Sequence, residues 1–496
     1  MRNFLTNPPW RGDELGVPVP DSPHAVSVSL PLWEHVIGYE EADAHVLNAM
    51  QTGYPRFFLP RPVVALCERV AIEFGDGEQG ALVFPTMTAA ERCADFMRER
   101  HDGWKIETSE VPGMGIFACW FSPKLEATAR KYWRFCGEIV SSRQAVALLE
   151  NRLPGDGCLE SGAAAGRTIR ERLSKHSGQA VEDVFVFPSG MAAIAEVHRM
   201  LCAISPNRRT EQFDFPYVDA LKVQQEFGAG ASFHPVGNSD ALEALAEQMD
   251  TEKLAGVFCE IPSNPCLRSA DLTKLKAIAS RNGAVLVVDD TVGSSINVDA
   301  FRFADVATTS LTKFFSGVGD VMAGSVILNK ESVFYEPMKS YMDAQEGSKL
   351  WWADAVALEE NSRGYESRVR TMNASAEILC EHLRAHLAVK EVYFPKWITR
   401  DAYDAVRRED GGYGAMFSLL LNDAENTTPK FYDALRVAKG PSLGTDFTIA
   451  CPYTLLAHYD ELEWAQECGV SRWLVRVSVG TEDVEELIRR FDSALA

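Results

Sequence analysis

Asp289 closes an apolar run, Val285–Leu286–Val287–Val288, and 24 residues further on Lys313 sits in Ser310–Leu311–Thr312–Lys313–Phe314. A short β-branched run bounded by Gly283 and a Thr-Val-Gly turn predicts a buried parallel strand. Its carboxyl end, with Asp289 and Asp290, is where open α/β sheets place ligand chemistry. The next strand-like segment, Asp305 to Thr309, brings two hydroxyls and the lysine to the same edge. A carboxylate facing a lysine, with Ser and Thr beside it, suits pyridoxal phosphate (PLP). The lysine would form the Schiff base, the carboxylate would hold the pyridinium proton, and the hydroxyls would take the phosphate. A surface lysine and an N-cap aspartate would account for the same residues without any chemistry, so the neighbouring segments decide.

Upstream, the strand-like Asp183 to Phe187 stops at Pro188, and Ser189–Gly190–Met191 opens an amphipathic helix from Met191 to about Ala203. Gly190 permits close backbone approach, and free N–H groups at a helix start favour a phosphate. Alone this is an ordinary turn; with the Asp and Lys segments it supplies the missing phosphate cradle.

These segments together resemble the Cys/Met-metabolism family of PLP enzymes, which includes cystathionine γ-synthases, cystathionine lyases and methionine γ-lyase. The matching stretches occur in order at 189–194, 260–265, 287–291, 310–317, 320–324, 442–444 and 474–485. They span roughly residues 180 to 496. The earlier part, through Met50–Gln51–Thr52–Gly53–Tyr54–Pro55–Arg56–Phe57–Phe58, is most similar to the longer, fungal-type cystathionine γ-synthases. The resemblance implies a PLP-dependent aminotransferase-like (type I) α/β fold. This has a mostly parallel central sheet, helices on both faces, and a smaller α+β C-terminal domain.

Residue by residue, the resemblance makes Lys313 the Schiff-base lysine and Asp289 the partner of the pyridine nitrogen. Ser310 and Thr312 bind phosphate with Ser189 and the backbone of Gly190 and Met191, and Asn264 lies near the 3-hydroxyl. Tyr217 stacks on the ring or accepts the amine proton. Arg476 grips the substrate carboxylate, helped by Ser442 and Leu443. Arg476 lies within the apolar stretch Trp473 to Val477, where an unpaired arginine is costly to bury. The family also places a Tyr-x-Arg some thirty residues before its SGM motif, reaching into the neighbouring subunit's phosphate site. Here Tyr54–Pro55–Arg56 has the residues but lies far upstream, while Arg143 lies nearer without a tyrosine. Both stay open as phosphate ligands. A ligand lent across an interface would make the active form at least a dimer, a homodimer or homotetramer.

Composition sets the bounds. The 496 residues are enough for two or three domains, and a formal charge of −21 argues against nucleic acid as a partner. Eleven cysteines are scattered without a CxxC pair, which predicts reduced thiols and a cytoplasmic setting. Cys259 and Cys266 are seven residues apart with no histidine nearby, poor metal spacing, so no metal is expected. No signal peptide or membrane-length apolar run is evident.

Along the chain, Pro-rich residues 1–60 read as an arm and 61–335 as the PLP-binding large domain, with an extra insert at about 85–185. Residues 336–375 read as a long connecting helix and 376–496 as the small domain. Phe84–Pro85–Thr86–Met87 echoes Phe187–Pro188–Ser189–Gly190–Met191, but without the glycine, so the phosphate site is assigned to the second copy.

The activity implied is γ-replacement on O-acetyl- or O-succinylhomoserine by L-cysteine, giving L-cystathionine. Sibling activities are a β- or γ-lyase, a sulfhydrylase, or a carbon–carbon bond-forming replacement. The family's glutamate after Ser-Leu-Gly is absent, since the segment reads Ser442–Leu443–Gly444–Thr445–Asp446. A PLP-binding scaffold without turnover is disfavoured by an intact Lys313, Asp289 and Arg476.

Overall fold

The computed structural model describes residues 2–345 and 350–496. Its central sheet has seven strands in the order Val184–Phe187, Gly324–Leu328, Val306–Thr309, Val285–Asp289, Gly256–Glu260, Thr210–Phe213, Ala231–His234. Every pairing is parallel except the two made by Gly324–Leu328. The apolar run before Asp289 is buried on both faces, as a parallel strand between helical layers requires. Val285 and Val287 pack with Ile194 and Val197 of the helix Gly190–Ile204. Leu286 and Val288 face the opposite way, toward Leu275 and Ala279 of the helix Leu272–Asn282. The period of two along a strand therefore divides one short run between two core layers.

Residues 80–121 build a separate antiparallel sheet, Gly80–Phe84, Ile116–Phe121 and Glu107–Val111, over its own apolar core. The alternation that reads as a single sheet from residue 61 thus divides, and the parallel sheet begins at Val184. The echoed segments are alike in local form. Thr86 caps the helix Met87–Arg98 through Ala89 N at 3.2 Å, and Ser189 caps its helix through Ala192 N at 3.0 Å.

The C-terminal sheet runs Val389–Tyr393, Met416–Leu421, Val475–Ser478, Ile449–Pro452, Ala438–Lys439. The expected connecting helix at 336–375 is not one helix. It comprises Tyr335–Ala344, Trp352–Asn361 and the start of Tyr365–Arg384. Gln345 and Trp351 are extended, and the short 3-10 turn Ser362–Gly364 redirects the chain before the last helix. The N-terminal arm is tied down rather than loose. Trp33 donates its backbone N–H to Asp433 and stacks on Trp473, and Lys439 Nζ donates to the carbonyl of Pro31 at 2.9 Å. Among the described residues, no helix is long and apolar enough to cross a membrane.

Candidate active site

The strand register sets three polar positions side by side at the carboxyl edge: Asp289 is opposite Glu260 on one side and Thr308 on the other. A cavity of about 550 Å³ opens there, lined by Tyr54, Arg56, Gly190, Met191, Tyr217, Asn264, Asp289, Ser310, Lys313, Ser442, Leu443 and Arg476. Most of the expected residues therefore converge. Three do not reach it. The Ser189 hydroxyl caps its helix and donates to Gly137 O at 2.8 Å. The Thr312 hydroxyl is occupied by the backbone of Ala323, at 3.1 and 3.2 Å. Arg143 lies elsewhere, paired with Asp320 at 2.8 Å and Asp354 at 3.3 Å.

Lys313 is buried, and its Nζ donates to Ser442 Oγ at 2.9 Å while standing 4.3 Å from the Tyr54 ring centroid. Burial pushes its pKa down, Tyr54 opposes that, and the nearby Arg476 adds to it. An amine released from its proton is what a nucleophilic lysine needs. The Tyr54 phenol is raised by burial but brought below its ordinary value by the Lys313 and Arg56 charges. Tyr217 is different: burial drives its phenol well above the ordinary range, and its hydroxyl contacts the Arg56 guanidinium. Ser442, whose carbonyl accepts from Arg476 at 2.7 Å, has φ +93°, a region serine rarely adopts. Two basic side chains, Lys313 and Arg476, held by one residue give that strain its place.

Arg56 fills its own chain's cavity. Its Nη1 pairs with Asp219 at 2.6 Å, and both side chains are almost wholly buried. Tyr54 and Arg56 both line the cavity of the chain that carries them. Arg476 has no carboxylate partner among the described residues; its Nη1 donates to Asn264 Oδ1 at 3.1 Å. Glu260 is a site residue that the sequence reading passed over. Its carboxylate accepts from the N–H of Tyr217 at 2.6 Å and of Asn264 at 3.2 Å, and burial, reinforced by Asp289, raises its pKa well above the usual range. A carboxylate ending the apolar strand Gly256–Glu260 is the same signal that exposed Asp289.

These groups fit a phosphorylated pyridine aldehyde. A Cβ on Gly190 would come within 2.7 Å of Ser310 Cβ, so only glycine leaves the helix start open there. Asp289 is half-buried beside the cavity, and the loss of water around its carboxyl raises its pKa. Such a fold and lysine-centred cavity define a PLP-dependent enzyme of the type I class.

The chain belongs to the Cys/Met metabolism PLP-dependent enzyme family, whose model matches residues 166–496, and a fungal trans-sulfuration enzyme N-terminal domain matches residues 62–141. A cystathionine gamma-synthase of Neurospora crassa is 33% identical over 97% of this chain and 98% of its own length. A cystathionine gamma-synthase-like enzyme of Amanita muscaria is 32% identical over 97% and 96%. Among solved structures, the cystathionine gamma synthase of Xanthomonas oryzae pv. oryzae in complex with aminoacrylate and cysteine is 26% identical, with TM-score 0.59. It covers 68% of this chain and 86% of that one.

Asp290, next to Asp289, serves the fold rather than the cavity. It is buried, accepts from the Thr309 hydroxyl, and burial raises its pKa from 3.8 to about 7. A carboxyl raised in the folded state contributes stability that is full below its unfolded value and lost as pH rises through the folded one. The window is therefore about pH 4 to 7. The Tm of Asp290→Asn relative to the parent should climb across that window and level off above pH 7. A difference that stays flat from pH 4.5 to 8 would contradict this assignment.

Proposed function

We propose that the chain catalyses γ-replacement of an O-acylhomoserine by L-cysteine to give L-cystathionine, as a transferase. The observation that carries the reading is the buried Lys313 amine between Tyr54 and Ser442, with the Arg476 guanidinium, which meets no carboxylate among the described residues, in the same cavity. Relatives that carry the name cystathionine gamma-synthase over nearly the whole chain support it.

PLP, when bound, supplies the electron sink that lets charge develop at Cα and Cβ. Asn264 and Asp289 would face its ring, Ser310 with Gly190 and Met191 its phosphate, and Arg56 the phosphate or the adjoining Tyr217. Arg476 would hold the substrate α-carboxylate by two parallel N–H bonds, which fixes the bond to be activated. Lys313 would move protons between the substrate carbons, because its lowered pKa leaves the amine free to accept one. Tyr54, not Tyr217, would take the proton of the incoming amine: its phenol is the lowered one and it stands over Lys313.

A sibling chemistry keeps one observation in its favour. Asp446, the residue nearest to the family's missing glutamate, does not line the cavity; Arg368 faces it instead. A β- or γ-lyase, a sulfhydrylase or a carbon-nucleophile enzyme would use the same lysine. Incubating the PLP-loaded protein with O-acetyl- and O-succinylhomoserine, with and without L-cysteine, separates these readings. Cysteine-dependent cystathionine is the expected product by mass spectrometry. Ketobutyrate or pyruvate from cystathionine, with no synthesis, would move the chain among the lyases.

A further inference from the structure

The antiparallel unit at residues 80–121 stands outside the central sheet, and the chain returns from it through the helix Glu126–Cys136. That helix faces two ways. Trp133 and Cys136 belong to the unit's own core, whereas Phe135 packs with Met191 and Ala192 at the start of the helix Gly190–Ile204. It stops at Gly137, which has φ +61° and donates its N–H to Trp133 O at 3.1 Å, the left-handed glycine ending of a helix. Such an ending leaves the last carbonyls free to take other donors.

Those carbonyls and the turn behind them hold both halves of the expected phosphate site. On one side, Gly137 O accepts the Ser189 hydroxyl at 2.8 Å. The contact is close: a Cβ on Gly137 would come within 2.2 Å of Ser189 Oγ and 3.0 Å of Ala192 N. On the other side, Arg134 O accepts from the Arg56 guanidinium, and Trp133 Nε1 donates to Pro55 O at 3.1 Å. A guanidinium at the carboxyl end of a helix also meets the negative pole of the helix dipole. The next residue, Glu138, is buried and joins the two bodies. Its carboxylate pairs with Arg92 of the helix Met87–Arg98 at 2.8 Å and with Arg199 of the helix Gly190–Ile204 at 3.3 Å.

We propose that the antiparallel unit is a positioning element for the cofactor's phosphate. The turn Cys136–Gly137–Glu138 fixes the start of the helix Gly190–Ile204, and Arg134 O fixes Arg56. This rests on the placement of the PLP phosphate at Gly190, Met191 and Arg56 given above. It gives the segment ahead of the 166–496 family match a part in cofactor binding. Anchoring both groups from a third element holds the N–H groups and the guanidinium in place before the anion arrives, which lowers the ordering cost of binding.

The test titrates the apoenzyme with PLP and with pyridoxal, which has the same ring and aldehyde but no phosphate, and reads the Schiff-base absorbance. The parent should bind PLP more tightly by on the order of a hundredfold or more, the worth of two charged hydrogen bonds. Gly137→Ala should raise the Kd for PLP about tenfold and that for pyridoxal by less than about twofold. Glu138→Gln leaves the backbone of the turn intact and decides the matter if Gly137→Ala does not fold. It should raise the Kd for PLP about threefold and leave that for pyridoxal nearly unchanged. Ser109→Ala is the control: it takes from the outer strand Glu107–Val111 the hydroxyl that Trp120 Nε1 bonds at 2.8 Å. It should lower Tm and keep the ratio of the two Kd values. Equal losses for both ligands in the turn variants, unchanged affinities, or the same fall in ratio in Ser109→Ala would make the unit a support of the fold only and overturn the proposal. No preference for PLP in the parent would instead remove the phosphate site itself, and the proposal with it.

Discussion

Lys313→Ala is expected to bind PLP without forming the Schiff base, losing its visible absorbance, and to lower turnover by at least about 10⁴-fold. The size follows from the number of tasks on one atom. Nζ is the nucleophile toward the cofactor aldehyde and, once displaced by the substrate amine, the group placed to shuttle protons. No second amine is free to replace it among the described residues: Lys222, the other lysine lining the cavity, is paired with Glu461 at 3.1 Å, and the arginines there cannot deprotonate near neutral pH. The fold should tolerate the change. Lys313 makes no ion pair among the described residues, and its hydrogen bond goes to Ser442, which still holds Arg476 through its carbonyl. An added primary amine should restore part of the activity, because the lost chemistry belongs to an amine and not to packing. Retained absorbance in Lys313→Ala would place the Schiff base elsewhere and remove the basis of the proposed reaction.

Much of this site was readable because strand ends announce themselves. A run buried on both faces must be continuously apolar, so the first polar residue after it marks the edge where ligands bind; Asp289 was found in that way. Gly190 was found because a Ser-Gly turn between a strand and an amphipathic helix leaves free N–H groups at the helix start; the structure adds that Ser310 leaves no room there for a Cβ. Other features depended on partners far away in sequence. Nothing local shows that the Thr312 hydroxyl is consumed by Ala323, or that Ser189 spends its own on Gly137. The arm reads as irregular because its order comes from Asp433, Lys439 and Trp473, some four hundred residues on. Residues 336–375 are rich in helix formers, but Gly347 and Gly364 interrupt them, and the turn at Ser362–Gly364 falls on the second of these; the packing of Trp352–Asn361 on Asp156–Ser177 sets the direction of the middle helix. The choice between Arg56 and Arg143 was of the same kind: each has suitable chemistry, and Asp219 and Asp320 decide where each goes.

That choice carries the second large effect. Arg56→Ala should destabilise the protein by about 3 kcal/mol, the lower end for breaking a buried ion pair, since Arg134 still contacts Asp219 at 3.0 Å. It should also weaken cofactor retention, because the Tyr217 hydroxyl loses its cation. Arg56→Lys separates the two losses: a lysine can keep the charge beside Asp219 but cannot also span to Tyr217, so stability should recover more than cofactor binding does. Chain origin is then tested by complementation. If Arg56 serves the cavity of its own chain, co-expressing Arg56→Ala with Lys313→Ala yields no active site, since each chain carries its own defect. If the arm were exchanged between subunits, mixed oligomers would contain one site with both residues intact, and a measurable fraction of activity would return. The buried pairing of Arg56 with Asp219, 163 residues away in the same chain, predicts the first result.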